Sequence, residues 1–418
     1  MDKRRIIYAL LFLVLCLGVG FAIYWVFFKS KATTPTTERG AGTSGQFPVT
    51  GEGRTTEQTT RPGTNLPSTG TRVPTPGGGE TTQQPSGTTG SRVPNEKPLV
   101  TKLTDVGVVN PAAAAGGGAR FYSSQDGKFY KIDANGNVRP LTDTVFYNVQ
   151  KVTWSPTSDE SIIEYPDGAN IYYNFSTKEQ VTLPNHWESF SFAKNGTSVA
   201  AKSIGLDPEN RWLISSDPKG NNIKLIEPMG NNADKVIVDW SPNNQVVALS
   251  ATGEALGSQR QEILLVGQNH ENYKSLVVEG RGLQTQWSPD GGKLLHSVYN
   301  SRNDYKPELW IMDATPDSAG ANRKVLNVNT WASKCTMADA RTVYCGVPET
   351  LETGVGFAPA LAQNTPDRLY KIDTETGAKS EITMDGTHTI DSMFVGQDGK
   401  TLYFTDRREN GIFQVPLR

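Results

Sequence analysis

The chain has 418 residues, a formal net charge of −2, three cysteines and four histidines. So balanced a charge gives no clustered basic face for nucleic acid, and three cysteines are too few for a disulfide framework, so a hydrophobic core must hold the fold. Length alone allows two or three domains, but composition changes sharply after Phe28 and again near Lys97.

Asp2-Lys3-Arg4-Arg5 precedes an uncharged apolar run of 23 residues, Ile6 to Phe28. About 20 apolar residues span a bilayer as a helix, so residues 6–28 are expected to form one transmembrane helix behind a short tail, residues 1–5. Tyr24 and Trp25 suit an interfacial aromatic belt. The alternative is a cleaved signal peptide, but the run exceeds a normal h-region of about 7–15 residues, and Phe27-Phe28-Lys29 is a poor cleavage site. Leu15 before Cys16 is too bulky for a lipobox. Lys3, Arg4 and Arg5 favour a cytoplasmic N-terminus, against which Lys29 and Lys31 count.

Residues 29–97 are dominated by Thr, Gly, Pro and Ser, as in Pro76-Gly77-Gly78-Gly79. Such a segment has too little apolar surface to offset its ordering entropy, so a disordered stalk is expected. Its r.m.s. span as a flexible coil would be roughly 45 Å.

From residue 98 onward one phrase recurs: Trp154-Ser155-Pro156, Trp240-Ser241-Pro242 and Trp287-Ser288-Pro289-Asp290-Gly291. The last two tryptophans lie 47 positions apart and the first two 86, nearly two units. Phe190 to Gly196 supplies the missing copy, and weaker ones begin at Ala332 and Ser392. Three short strands follow each copy, as in Leu294–Val298, Leu309–Asp313 and Lys379–Thr383, separated by Asn-Gly, Asp-Gly and Thr-Gly turns. Four strands per period of about 40–50 residues is the mark of propeller blades. The recurrent Trp or Phe is expected between blades, as core.

Ile412–Pro416 reads as a third strand with no fourth after it, and Val100–Thr104 matches the fourth strand Val138–Thr142. Residues 99–104 are therefore expected to complete the last blade and close the ring. The expected fold of 98–418 is an all-β, seven-bladed propeller, with six blades as the alternative.

The Trp-Ser-Pro-Asp-Gly phrase, the Trp310-Ile311-Met312-Asp313 strand and the Leu-Thr strand ends resemble the repeats of TolB-type and WD-repeat-like β-propellers. With anchor, stalk and the Cys335…Cys345-Gly346-Val347-Pro348 repeat, the chain is similar to uncharacterised membrane-anchored propeller proteins of candidate-phylum bacteria. That resemblance carries no activity; TolB-type membership implies a protein-interaction role in the envelope, by analogy of fold alone.

Cys335 and Cys345 flank a hairpin turn, which suits a disulfide outside the cytoplasm and two buried thiols inside it. His186, His270, His296 and His388 show no metal-ligand spacing and read as structural or exposed. No nucleophile elbow, phosphate loop or calcium loop occurs, so no catalytic residue, cofactor or metal is assigned. The candidate binding face comprises loops longer than connection requires, Ser301–Lys306 and Pro348–Asp367, with Arg211, Arg302, Asp304, Tyr305, Arg407 and Arg408 in equivalent connections. These readings favour a single-pass membrane protein with an extracytoplasmic head that binds a protein or envelope polymer and no nucleic acid. The alternative is an extracytoplasmic glycan hydrolase or lyase acting at the channel mouth.

Overall fold

The computed structural model describes residues 99–254, 256–271 and 273–417. The expected transmembrane helix and stalk lie outside these residues. Among those described, no helix is long and apolar enough to cross a membrane, and the helical pieces are short 3-10 segments.

The strands form seven four-stranded antiparallel sheets, giving a seven-bladed propeller. Blades 1 to 6 occupy residues 108–140, 151–183, 187–228, 236–278, 281–325 and 335–382 in consecutive strand order. Blade 7 takes three strands from 390–416 and its fourth from Thr101–Lys102. The expected closure is present: Thr101 pairs with Gln414, Lys102 with Phe413, and the Leu103 N–H donates to the Ile412 carbonyl at 2.8 Å. First strands of successive blades adjoin around the axis, so they line the central channel.

Packing explains the near-continuous apolar second strands. Side chains alternate across a sheet, and here each sheet is covered on both sides. Leu294 faces blade 4 and Leu295 faces blade 6. Ile162 packs toward blade 3, whereas Ile163 packs toward blade 1. Phe121 meets Tyr403 and Ile412 of blade 7, and Tyr122 meets Trp154 of blade 2.

The recurrent phrase is a structural device. Trp154 and Trp287 pack on the preceding blade, and their indole N–H groups donate to the Asn110 and Asp239 carbonyls at 2.8 and 3.3 Å. The serine braces the turn that follows. Ser288 Oγ accepts from the Lys293 N–H at 2.9 Å and donates to Asp290 Oδ1 at 2.5 Å. Gly291 takes φ 72°, where a Cβ would meet Asn243 of the neighbouring turn. Ser241 makes the same bonds, to Val246 and Asn243.

In blade 6 the first strand is only Cys335–Met337, preceded by a 3-10 turn at Ala332–Lys334. Cys335 and Cys345 are cross-strand partners joined by a disulfide and fully enclosed in the core between blades 5 and 6.

Two outcomes follow. Leu103→Pro removes the closing hydrogen bond and leaves the Ile412 carbonyl unpaired, so urea unfolding should show a loss of about 1–3 kcal/mol. Reduction, or a Cys335→Ala/Cys345→Ala double variant, opens a cross-link of sequence separation 10. The guanidinium midpoint should fall by the equivalent of about 2–3 kcal/mol.

Candidate functional site

Because the strands of each blade alternate in direction, second-to-third connections emerge on the same face as the links between blades. First-to-second turns emerge on the other. The two long loops therefore share a face, on adjacent blades 5 and 6.

They are also bonded into one unit. Ser301–Asn303 forms a 3-10 turn capped by Asn300, and Asp304 and Tyr305 follow with φ 58° and 55°. Two successive left-handed residues turn the chain so that the Asp304 and Tyr305 carbonyls accept from the Gly354 and Gly356 N–H groups at 2.8 and 2.7 Å. A Cβ on Gly356 would lie 2.5 Å from the Tyr305 carbonyl oxygen, so the close approach requires glycine. The blade 6 loop has a small core of its own, Trp331, Val355 and Ala362 with Leu351, beneath the 3-10 segment Pro359–Ala362.

On top lies an aromatic and aliphatic surface. Phe357 stands edge-on to Tyr299 and Tyr305 at centroid distances of 5.8 and 5.5 Å. Tyr305, Phe357 and Leu361 are 38, 60 and 63 % exposed, unusual for such side chains within one folded loop pair. Beside it, Glu279 gathers Arg323, Arg302 and Arg260 at 2.9, 3.3 and 3.5 Å.

Nearer the axis, a pocket of about 180 Å³ is lined by Trp331, Lys334, Gln363, Asp391, Arg407 and Gln284 among others. Its ionisable groups are engaged with protein partners. Lys334 Nζ donates to both Asp367 oxygens at 2.6 and 2.8 Å, and Asp367 Oδ2 also accepts from the Ile390 N–H at 2.7 Å. Burial pushes the Asp367 carboxyl upward, while Lys334 opposes that shift. Arg407 pairs with Asp391. Behind them the His388 ring lies 2.9 Å from Asp406 Oδ2 and 3.0 Å from the Asp385 carbonyl, edge-on to the stacked Phe404 and Phe413 rings. Among the described residues, no group of three His, Cys, Asp or Glu side chains is placed to hold a metal ion.

The six residues proposed from sequence fare differently. Arg302, Asp304 and Tyr305 belong to the welded loop pair, and Arg407 lines the pocket. Arg408 is exposed beside it, its N–H held by Asp406. Arg211 sits apart on blade 3, its guanidinium folded back onto the Gly205 and Leu206 carbonyls of its own loop. Sequence reasoning missed Phe357 and Leu361, although two large apolar residues in a loop were a readable signal. Lys334, Asp367, Glu279 and Asp391 carried none, because their partners are distant in sequence.

Of the histidines, His186 and His270 are exposed and His388 belongs to the cluster above. His296 is fully buried against Trp310, with neither ring nitrogen hydrogen-bonded.

No protein-family model matches the chain, and no curated protein sequence does. Solved structures do match. An oligogalacturonate lyase from Vibrio parahaemolyticus is 14 % identical, covering 76 % of this chain and 93 % of its own, with a TM-score of 0.53. The β-propeller domain of Cps50 (Swd1) from Myceliophteria thermophila is 10 % identical, covering 77 % of this chain and 100 % of its own, with a TM-score of 0.52. At such identity these likenesses establish the propeller fold and nothing finer.

Burial pushes the His296 ring from its ordinary 6.5 down to about 3. The unfolded chain therefore takes up a proton below pH 6.5 that the folded protein excludes until about pH 3. Its contribution is complete above that window and is lost as pH falls through it, with a limiting slope of about 1.4 kcal/mol per pH unit. Asp239, pushed up by burial to about 6, slopes the other way between pH 3.8 and 6. His296→Leu should flatten the acid limb relative to the parent, measured as urea midpoints at pH 7, 5 and 4.

Proposed function

We propose that this chain is a membrane-anchored, extracytoplasmic recognition module of the TolB-like kind, binding a protein or envelope polymer through the loop face of blades 5 and 6. The observation that carries this reading is the bonded pair of long loops, which holds Tyr305, Phe357 and Leu361 exposed on a rigid base. Ordering these loops beforehand lowers the entropic cost of binding, and aromatic groups ringed by paired charges have the make-up of a binding hot spot. The uncharged run at 6–28 supports the anchor, and the Cys335–Cys345 pair supports an oxidising compartment.

The full chain in detergent micelles should be retained on isolated envelope polymer or cross-link to an envelope protein. Phe357→Ser/Leu361→Ser should weaken that binding at least ten-fold without lowering the melting temperature. Ile223→Ser/Leu225→Ser, at the start of the outer strand of blade 3 and just before it, should leave binding unchanged. Equal binding by both variants would remove this reading.

A second reading is a glycan lyase or hydrolase. It is favoured by the meeting of Lys334, Asp391 and Arg407 in the channel-mouth pocket. Turnover of an acidic oligosaccharide, abolished by Asp391→Asn, would replace the first reading. Against it stands the pairing of each of these groups with a protein partner, which leaves no group of the trio poised as a general base.

A further inference from the structure

The opposite mouth of the channel has a different build. The turns after the first strands of blades 2, 3, 4 and 5 surround a cavity of about 540 Å³, walled by Trp154, Phe190, Phe192 and Trp240 and by Pro156, Pro242 and Pro289. Among the described residues one acidic residue lines it, Asp239, directly after the first strand of blade 4.

Asp239 differs from the other enclosed carboxylates of the molecule. Asp367 is paired with Lys334, Asp406 with His388, and Asp159 with Lys131 and Arg120. Among the described residues Asp239 has no cationic partner, and its one side-chain hydrogen bond comes from Thr285 Oγ1 of blade 5 at 3.4 Å, long and weak. Burial pushes its carboxyl up to about 6, against the opposing pull of the Thr285 bond. The residue as a whole is half-buried and lies on the cavity wall. Lys194 of blade 3 supplies the cavity's one lining cation among the described residues. Its Nζ is drawn away onto the Pro289 carbonyl of blade 5 at 2.6 Å, so the side chain arches past blade 4 and forms part of the rim.

A cavity with an uncompensated carboxyl and aromatic walls matches one ligand chemistry. An ammonium group forms a charge-assisted hydrogen bond with the carboxylate and is attracted to the faces of aromatic rings. An anion would meet Asp239 unfavourably, and a purely apolar ligand would leave that carboxyl without a partner. We propose that the first-to-second-turn mouth of the channel is a binding site for a small organic molecule bearing a primary ammonium group, with Asp239 as its counter-ion and Trp154, Phe190 and Trp240 as its walls. The site lies on the opposite face from the loop platform and does not depend on what that platform binds.

An amino sugar and the free amine of an amino acid or peptide share this chemistry. The test uses glucosamine and glycinamide as probes, with N-acetylglucosamine and N-acetylglycinamide as uncharged counterparts. Each is titrated into the full chain in detergent micelles by calorimetry, with the indole N–H resonances of Trp154 and Trp240 followed by NMR. Binding by glucosamine alone identifies an amino-sugar site, and by glycinamide alone a peptide-amine site. Either result, or binding of both, supports the proposal if acetylation weakens binding at least ten-fold and the indole resonances shift. Asp239→Asn, close in shape to the parent, should weaken it by a similar factor. The indole shifts keep the test decisive should that variant fold poorly. Absence of binding by both ammonium probes, equal binding of the acetylated forms, or binding without movement of either indole signal would overturn it.

Discussion

The constraint on which everything else rests is the two-sidedness of each sheet. A four-stranded antiparallel sheet whose second strand reads Leu294-Leu295 or Ile162-Ile163 has apolar side chains on both faces. It cannot bury them alone, and a two-layer sandwich would cover only one face of each sheet. A ring gives every sheet two neighbours, and seven repeats of the same twist close it. The pairing of Thr101–Lys102 with the last strand then joins the start of the propeller to its end, so the ring cannot open at blade 7 without breaking main-chain hydrogen bonds.

Closure also sorts the connections onto two faces with different roles. The first-to-second turns are tight, braced by Ser and by glycines at positive φ, and they frame the channel mouth that contains Asp239. The second-to-third connections are free to lengthen without disturbing the ring. In blades 5 and 6 they have done so and become bonded to each other through backbone hydrogen bonds and the Gly356 contact. The loop platform is therefore an addition to the scaffold, while the opposite mouth is made by the scaffold itself.

The placement of charge follows the same division. On the loop face, Lys334, Arg407, Arg302 and Arg368 each lie beside an acid within 4 Å. The buried Lys334–Asp367 pair is costly to desolvate and costlier to break, so it acts as a fixed strut between the 3-10 turn before the first strand of blade 6 and the start of its third strand. At the opposite mouth Asp239 has no counter-charge among the described residues, which is an unusual arrangement for a group within a folded chain.

The blade architecture was legible in the sequence because it is written in local signals: the Trp-Ser-Pro turn, the five-residue apolar strands and the glycines after Asn and Asp. Each reports on residues within one hairpin, and repetition made them visible. The Cys335–Cys345 pair was readable for the same reason, being a cross-strand neighbour within one hairpin. What only the tertiary structure decided are contacts between hairpins. Arg211 sits in an equivalent connection yet turns back on its own loop, whereas Tyr305 meets Phe357 across two blades. Lys334 finds Asp367, and Asp239 finds no cation among the described residues, through the spacing of blades around the axis. A linear sequence specifies each sheet by its periodicity, but the ring alone decides which side chains, far apart along the chain, share a pocket.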